Sequence, residues 1–236
     1  MSTAAADDPR IRQGMTAQLA ARRARIAAGE RPLGWKVGFG APASMQKLSI
    51  DAPLVGFLMH GALIASDGTA SLNGWIKPAA EAEIAVHMGR DLGGGADRAT
   101  AAAAIAAFSP AIELADVDAP PEDVAAILAG NIFQRHVVLG PRDARRAGGD
   151  TSGLSGRIFR RGTEAARTSE PEAATGNLID IVRHVADLLA AFGEALRAGD
   201  VIITGSITPP IFIEPDEDAL AFELDPIGAV SVRFQH

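Results

Sequence analysis

The stretch Ala80-Glu81-Ala82-Glu83-Ile84-Ala85-Val86-His87 alternates with the period of a β-strand. Successive side chains of a strand point to opposite faces, so Glu81 and Glu83 share one face while Ala82, Ile84 and Val86 fill the other. Some thirty positions on, Pro110-Ala111-Ile112-Glu113-Leu114-Ala115-Asp116 sets a third glutamate in an apolar run. A carboxylate between Ile112 and Leu114 is costly to bury unless something positive compensates it, and a divalent cation would do so. Three oxygen donors without cysteine favour a hard cation such as magnesium or manganese over zinc. The competing reading makes Glu81 and Glu83 a solvated strand face and Glu113 a salt-bridge partner. His87 shares the face of the pair if the strand stays regular.

Working outward, residues 9–29 read as a helix, with Asp7-Asp8 as caps, Pro9 in the first turn and Gly29 as its stop. A strand follows over Gly34-Trp35-Lys36-Val37-Gly38-Phe39-Gly40, then a short helix over Ala43–Leu48 and the apolar run Leu54–Leu58. The two Glu-bearing strands are separated by Gly93-Gly94-Gly95 and an Ala-rich helix from about Arg98 to Phe108. Further on come a helix over Pro121–Ala129, a strand over Val137–Leu139, and polar hairpins between 140 and 177. An amphipathic helix spans Leu178–Arg197, with Ile181, Val185, Leu188, Leu189 and Phe192 on one stripe. The strand Val201–Ser206 follows it, and two final strands flank Pro226-Ile227-Gly228.

Composition narrows the class. The 236 residues are 47% hydrophobic with a net charge of −7, which predicts a packed core and disfavours nucleic acid and anionic membrane as partners. There is no cysteine, so neither disulfides nor thiolate metal sites can form. No run approaches the roughly eighteen apolar residues of a membrane span, and Met1–Asp8 lacks a basic region followed by an apolar core. A cytoplasmic protein is the expectation.

Lys36, Lys47 and Lys77 are the only lysines, against 19 arginines, so each can be considered singly. Lys36 in Gly-Trp-Lys-Val-Gly stands in an apolar strand. It can transfer protons or pair with a substrate carboxylate; equally, it can lie along the surface with its ammonium in water. The strand ending in Thr204-Gly205-Ser206 offers backbone N–H groups and hydroxyls at a close-approach turn, which suits an anion; the alternative is an ordinary strand exit. Gly93-Gly94-Gly95 lacks the context of a nucleotide loop.

In this order, the pieces resemble the hydratase/decarboxylase branch of the fumarylacetoacetate hydrolase superfamily. The resemblance runs through Gly34–Gly38, Glu81-Ala82-Glu83, Gly89–Leu92, Pro110–Glu113, Asn131, Val138–Pro141, the long helix and Gly199–Gly205. It implies an α+β fold, a mixed β-roll with flanking helices and an N-terminal helical segment. Residues 1–70 would form the leading helix and strands, packed on a metal-binding roll over residues 71–236. It implies Glu81, Glu83 and Glu113 as ligands to Mg2+ or Mn2+, Lys36 as the catalytic and substrate-binding lysine, and Thr204, Gly205 and Ser206 as lining of the substrate pocket.

The implied activity is that of a metal-dependent carbon–oxygen lyase, hydrating 2-hydroxypenta-2,4-dienoate or a similar short 2-oxo or 2-enol acid in aromatic catabolism. Two alternatives stand beside it: a decarboxylase of the 4-oxalocrotonate type on the same metal site, and a catalytically silent paralogue acting as a ligand-binding or partner subunit. A homo-oligomer, or pairing with a homologous lyase chain, is implied as well. Where the family commonly carries an acid before its Gly-hydrophobic-Leu element, this chain has Leu54.

Overall fold

The computed structural model describes residues 4–236; the first three residues of the segment read for a leader lie outside the described residues. A single turn, α1 (Ala4–Asp7), leads into α2 (Pro9–Ala27). The Asp8 carboxylate accepts from the Arg10 backbone N–H at 2.8 Å, and Pro9 occupies a first-turn position that needs no N–H. Next come β1 (Pro32–Gly38), α3 (Pro42–Leu48), β2 (Leu54–Met59), β3 (Leu63–Ile64) and β4 (Gly68–Ser71). The long strands β5 (Pro78–Met88) and β6 (Ile105–Asp116) flank α4 (Arg98–Ala104). Then follow α5 (Val124–Ala129), β7 (Gln134–Leu139), β8 (Ser155–Arg160), β9 (Thr163–Thr168) and α6 (Leu178–Ala191). The chain ends with β10 (Val201–Ser206), β11 (Ile211–Phe212), β12 (Ala219–Asp225) and β13 (Gly228–Gln235).

The strands form two mixed sheets. One has the order β2-β1-β10-β5-β6-β7-β3, with β11 added alongside β5; the other runs β4-β13-β12-β8-β9. In the first sheet β1 pairs with β10 and β3 with β7 in parallel, and the remaining pairs are antiparallel. Strands before and after residue 70 thus share one ladder. The sheet is apolar on both faces, as expected of a curled sheet closed over its own interior. Ala82, Ile84 and Val86 join Ile112, Leu114 and Val138 in the main core. On the other face Ala85, Ala111, Val137, Val201 and Ile203 make a smaller cluster with Leu33 and Leu58. Glu83 and Glu113 lie on this second face, fully buried, so the solvated reading of that face does not hold for them.

Two helices stop earlier than their composition suggests. The Ala-rich run predicted to stay helical to Phe108 ends at Ala104, and Ile105 turns extended to pair with Met88. Pairing along β5 overrides the helical preference of alanine there, since propensity is a weak guide beside tertiary pairing. The amphipathic helix predicted to reach Arg197 ends at Ala191. Gly193 adopts φ +74° and donates to the Ala190 carbonyl, while the Glu194 N–H reaches the Leu189 carbonyl, a glycine-terminated cap. Among the described residues no helix is long and apolar enough to cross a membrane.

Candidate metal centre

Register brings the three glutamates together. In the antiparallel pairing of β5 with β6, Glu81 stands directly opposite Glu113 and Glu83 opposite Ala111. Glu81, Glu83 and Glu113 each offer an oxygen, and these atoms lie within 4.8 Å of one another. Like charges placed opposite each other across a ladder repel, so the arrangement is unfavourable by itself. Lys36 of β1 supplies part of the compensation: its Nζ lies 2.7 Å from Glu113 Oε1, with both side chains buried. The same ammonium donates to the Ile132 carbonyl at 3.4 Å. Glu83 Oε2 accepts from the Gly205 backbone N–H at 2.6 Å. Glu83 Oε1 and Glu113 Oε2 are buried without a partner.

One cation among three clustered carboxylates, two of them fully buried, leaves the group short of positive charge, and the titration behaviour follows. Burial, then repulsion from Glu113, pushes Glu81 up to about 7 despite the attraction of Lys36. Burial and the two neighbouring carboxylates hold Glu83 well above the usual range. Burial also raises Glu113, with Lys36 pulling the other way. Burial alone would lower Lys36, but the attraction of Glu113, Glu81 and Glu83 outweighs it and keeps the ammonium charged.

The backbone around Lys36 is shaped to hold it. A Cβ on Gly56, its antiparallel neighbour, would sit 2.9 Å from Lys36 Cγ and 2.9 Å from Asn131 Oδ1. Glycine is therefore what lets the lysine stem pass. Asn131 grips the Phe57 backbone twice, accepting from its N–H at 2.8 Å and donating to its carbonyl at 2.9 Å. Asn131, Ile132 and Phe133 take φ values of 54°, 53° and 62° in succession. Left-handed backbone at a β-branched residue costs on the order of 1–3 kcal/mol. That strain is held by the asparagine clamp, and it aims the Ile132 carbonyl at the lysine.

Glu81 opens on a cavity of about 510 Å³, reached between β5, β10 and the loops around them, with Glu83 and Glu113 buried behind it. Lys36, Glu81, Gly205 and Ser206 all line it. Thr204 does not: its hydroxyl donates to the Ile84 carbonyl at 2.9 Å, on the side away from the cavity. Gly205 takes φ +93°, which turns its N–H towards Glu83. Sequence reading missed Thr208 and Lys77, which also line the cavity. Thr208 is 5% exposed and its Oγ1 has no partner. No local signal marks either residue, because chain turns after β10 bring Thr208 in and pairing of β11 with β5 frames Lys77.

Other acids and histidines stand apart. Leu54 packs in the main core and does not line the cavity. Asp51 is exposed in a loop, and Asp116 accepts from the N–H groups of Ile76 and Lys77. Neither lines the cavity, so neither replaces the acid absent at Leu54. His87 shares the face of the glutamates but stands four residues from Glu83, about 13 Å along the strand. Its Nε2 meets Ser109 Oγ at 2.8 Å.

The residues present fit a hard divalent cation. Oxygen donors at about 2.0–2.6 Å from an ion lie within about 4–5 Å of each other, which the three glutamates satisfy. Glu83 and Glu113 each keep a buried oxygen without a hydrogen-bond partner, and the carboxylates carry more charge than Lys36 balances.

Comparison with known proteins places the chain. It is 29% identical over 217 residues to "2-keto-4-pentenoate hydratase 1" of Dechloromonas aromatica (strain RCB), covering 90% of this chain and 81% of the relative. It is 29% identical over 224 residues to a 4-oxalocrotonate decarboxylase of Pseudomonas putida, covering 93% and 83%. A solved structure of 4-oxalocrotonate decarboxylase from Pseudomonas putida G7, complexed with magnesium and adipate, superposes with a TM-score of 0.85 at 27% identity, over 92% of this chain and 83% of that one. The α+β fold expected from the resemblance is borne out by that superposition. Residues 36–235, which include every cavity-lining side chain named above, match the family model described as fumarylacetoacetate (FAA) hydrolase C-terminal, and the chain belongs to that family.

Proposed function

We propose that this chain is a divalent-metal-dependent lyase acting on a short 2-oxo or 2-enol acid. In this reading Glu81, Glu83 and Glu113 hold magnesium or manganese, and Lys36 serves the acid's head group. The observation that carries it is the convergence of three carboxylates, two buried and one half-buried at the cavity wall, around a buried lysine paired with Glu113. A cation bound there supplies Lewis acidity to a chelating 2-oxo acid.

The chain's own side chains do the rest. Lys36, fixed by Glu113 and the Ile132 carbonyl, presents a proton beside the substrate's 2-oxygen and carboxylate. Gly205 orients Glu83, and Thr208, whose hydroxyl has no partner in the fold, offers it to the bound acid, while the Ser206 hydroxyl is spent on the Thr208 carbonyl at 2.6 Å. Val37, Ile132, Phe133 and Ile207 exclude water from the conjugated tail.

Hydration of 2-hydroxypenta-2,4-dienoate, or of a similar acid from aromatic degradation, is the first reaction assigned, in keeping with a relative named 2-keto-4-pentenoate hydratase. Decarboxylation on the same site is a second reading. It is favoured by a cavity lining in which Glu81 is the only carboxylate among the described residues, so that no further acid is at hand to activate water. A homo-oligomer is proposed for the assembly. Ile76 and Phe212, 72% and 48% exposed, supply apolar surface that a second copy would cover.

Calorimetric titration of metal-stripped protein with Mn2+, alone and then with oxalate as a mimic of the 2-oxo acid head, tests the chelating site. Mn2+ binding tightened by oxalate, and weakened by two orders of magnitude or more in Glu113→Ala, is the expected result. Unchanged binding in that variant would make the glutamates structural and favour the silent-paralogue reading.

A further inference from the structure

The turn between β9 and α6 delivers one polar side chain into the cavity. The start of α6 anchors it: the Glu172 carboxylate accepts from the Leu178 N–H and from the Asn177 side-chain amide, both at 2.9 Å. The Gly176 N–H donates to the Glu172 carbonyl at 2.9 Å, and Gly176 takes φ +94° to close the turn. Thr175, beside this glycine, lines the cavity. A Cβ on Gly205 would come within 3.0 Å of Thr175 Cγ2, and one on Gly40 within 4.0 Å of its Cβ. The side chain therefore packs between two glycines, against the residue whose N–H holds Glu83.

The Thr175 hydroxyl is buried and has no partner in the fold. Burying a hydroxyl unbonded is unfavourable, so such a group calls for a ligand. Among the described residues only two buried hydroxyls are in this state, those of Thr175 and Thr208, and both residues line the cavity. Thr208 is engaged by the acid in the reading above, and Lys36 by Glu113 and the acid's head. Val37, Ile132, Phe133 and Ile207 keep bulk water from the tail, so the one water that reacts needs a holder of its own. Its addition forms a C–O bond at the far carbon and a C–H bond at C3 while one O–H bond of water breaks. The oxygen must therefore be aimed at that carbon.

Glu81 is the only carboxylate in the cavity lining among the described residues, and it belongs to the chelating group. An uncharged group has to hold the water, and a hydroxyl can accept from it and donate to it. We infer that Thr175 positions the water that adds to the acid. This rests on the chelating site and the hydration proposed above.

Thr175→Val removes the hydroxyl and keeps the shape, and Thr175→Ser restores it. Mn2+ and oxalate titrations report the chelating site. Deuterium uptake at C3 of 2-oxopentanoate reports enolisation there without any addition. Loss of the dienol absorbance of 2-hydroxypenta-2,4-dienoate reports water addition, and melting of metal-free protein reports the fold. In Thr175→Val, both affinities and deuterium uptake should stay within about twofold of wild type, while water addition slows by about tenfold, the scale of one hydrogen bond. Thr175→Ser should recover most of that rate. The melting temperature of Thr175→Val should be no lower than that of wild type, because the hydroxyl it loses bonds nothing in the fold.

Unchanged water addition in Thr175→Val overturns the inference. So does an equal fall in deuterium uptake and addition, which would put the hydroxyl on the acid, or a lowered melting temperature, which would make it structural. A wild type that takes up deuterium but adds no water also overturns it and leaves the chelating site standing. Failure of wild type to bind Mn2+ and oxalate would remove the chelating site and this inference together.

Discussion

One face of β5 and β6 buries two polar groups that solve opposite problems. Near one end Glu81, Glu83 and Glu113 crowd around Lys36. Further along, His87 meets Ser109 at 2.8 Å, both buried. The histidine pair needs no outside charge: burial, then the nearby Arg142, pulls His87 down to about 4, so it stays neutral at physiological pH. The glutamate cluster cannot be neutral without taking up protons or a cation. The difference teaches that burial itself is not the functional mark, because both groups are buried. The mark is burial with a charge deficit, which only a ligand or protons can fill.

The sharpest way to break this contrast is to remove the one cation the acidic end owns. Lys36→Met leaves Glu113 buried and unpaired, a change that typically costs about 3–5 kcal/mol. Metal-free protein carrying it should melt roughly 10 °C lower, given about 2–4 °C per kcal/mol for a chain of this size. Turnover should fall by about 100-fold or more, the lower bound for loss of a proton-transferring group. Unchanged melting would mean that the ion pair contributes nothing to the fold. Unchanged kcat would remove Lys36 from the chemistry.

A smaller effect separates the two ends by sign. Glu81 titrates near 7 in the folded chain against an ordinary 4.5, so between these values the native state holds more protons than the unfolded one. Its contribution to stability therefore falls as pH rises from about 4.5 to 7. His87 titrates near 4 against an ordinary 6.5, so the native state holds fewer protons, and its contribution rises with pH over nearly the same window. In metal-free wild type the two slopes oppose each other. His87→Gln should uncover the first, giving a melting temperature that drops with rising pH more steeply than wild type. Parallel profiles for the two proteins would refute the assignment. Mn2+ affinity should strengthen as pH rises towards 7, since protons and metal compete for Glu81.

The acidic end was legible in the sequence because two simple rules meet there. Strand periodicity put Glu81 and Glu83 on one face, and the cost of burying Glu113 demanded a counter-charge. The same periodicity placed His87 on that face but could not say that Ser109 would meet its Nε2, since the partner is fixed by the register of β5 on β6. Lys77 gave no sign, because a lysine before a proline reads as solvated; it is exposed, and only the pairing of β11 with β5 sets Phe212 beside it. Thr204 was grouped with Gly205 and Ser206 by adjacency, yet the alternation that served the glutamates turns its hydroxyl to the Ile84 carbonyl. The left-handed run Asn131–Phe133 is contrary to the preference of isoleucine and is imposed by the grip of Asn131 on Phe57. Helix ends failed for related reasons: alanine favours helix but is overruled where β6 pairs with β5, and Gly193 stops α6 only through its cap.

The smallest effect belongs to the complete end. Ser109→Ala removes the partner of His87 Nε2, and His87 Nδ1 already has none, so the ring would be buried with both nitrogens unsatisfied. Losing one buried hydrogen bond of this kind costs about 1 kcal/mol and should lower the melting temperature by about 2–4 °C. Mn2+ affinity should be indistinguishable from wild type, because the pair stands about 13 Å from Glu83 along the strand and shares no partner with it. A change in Mn2+ affinity on this substitution would mean that the two ends are coupled through the strands, and that the roll's interior behaves as one polar network.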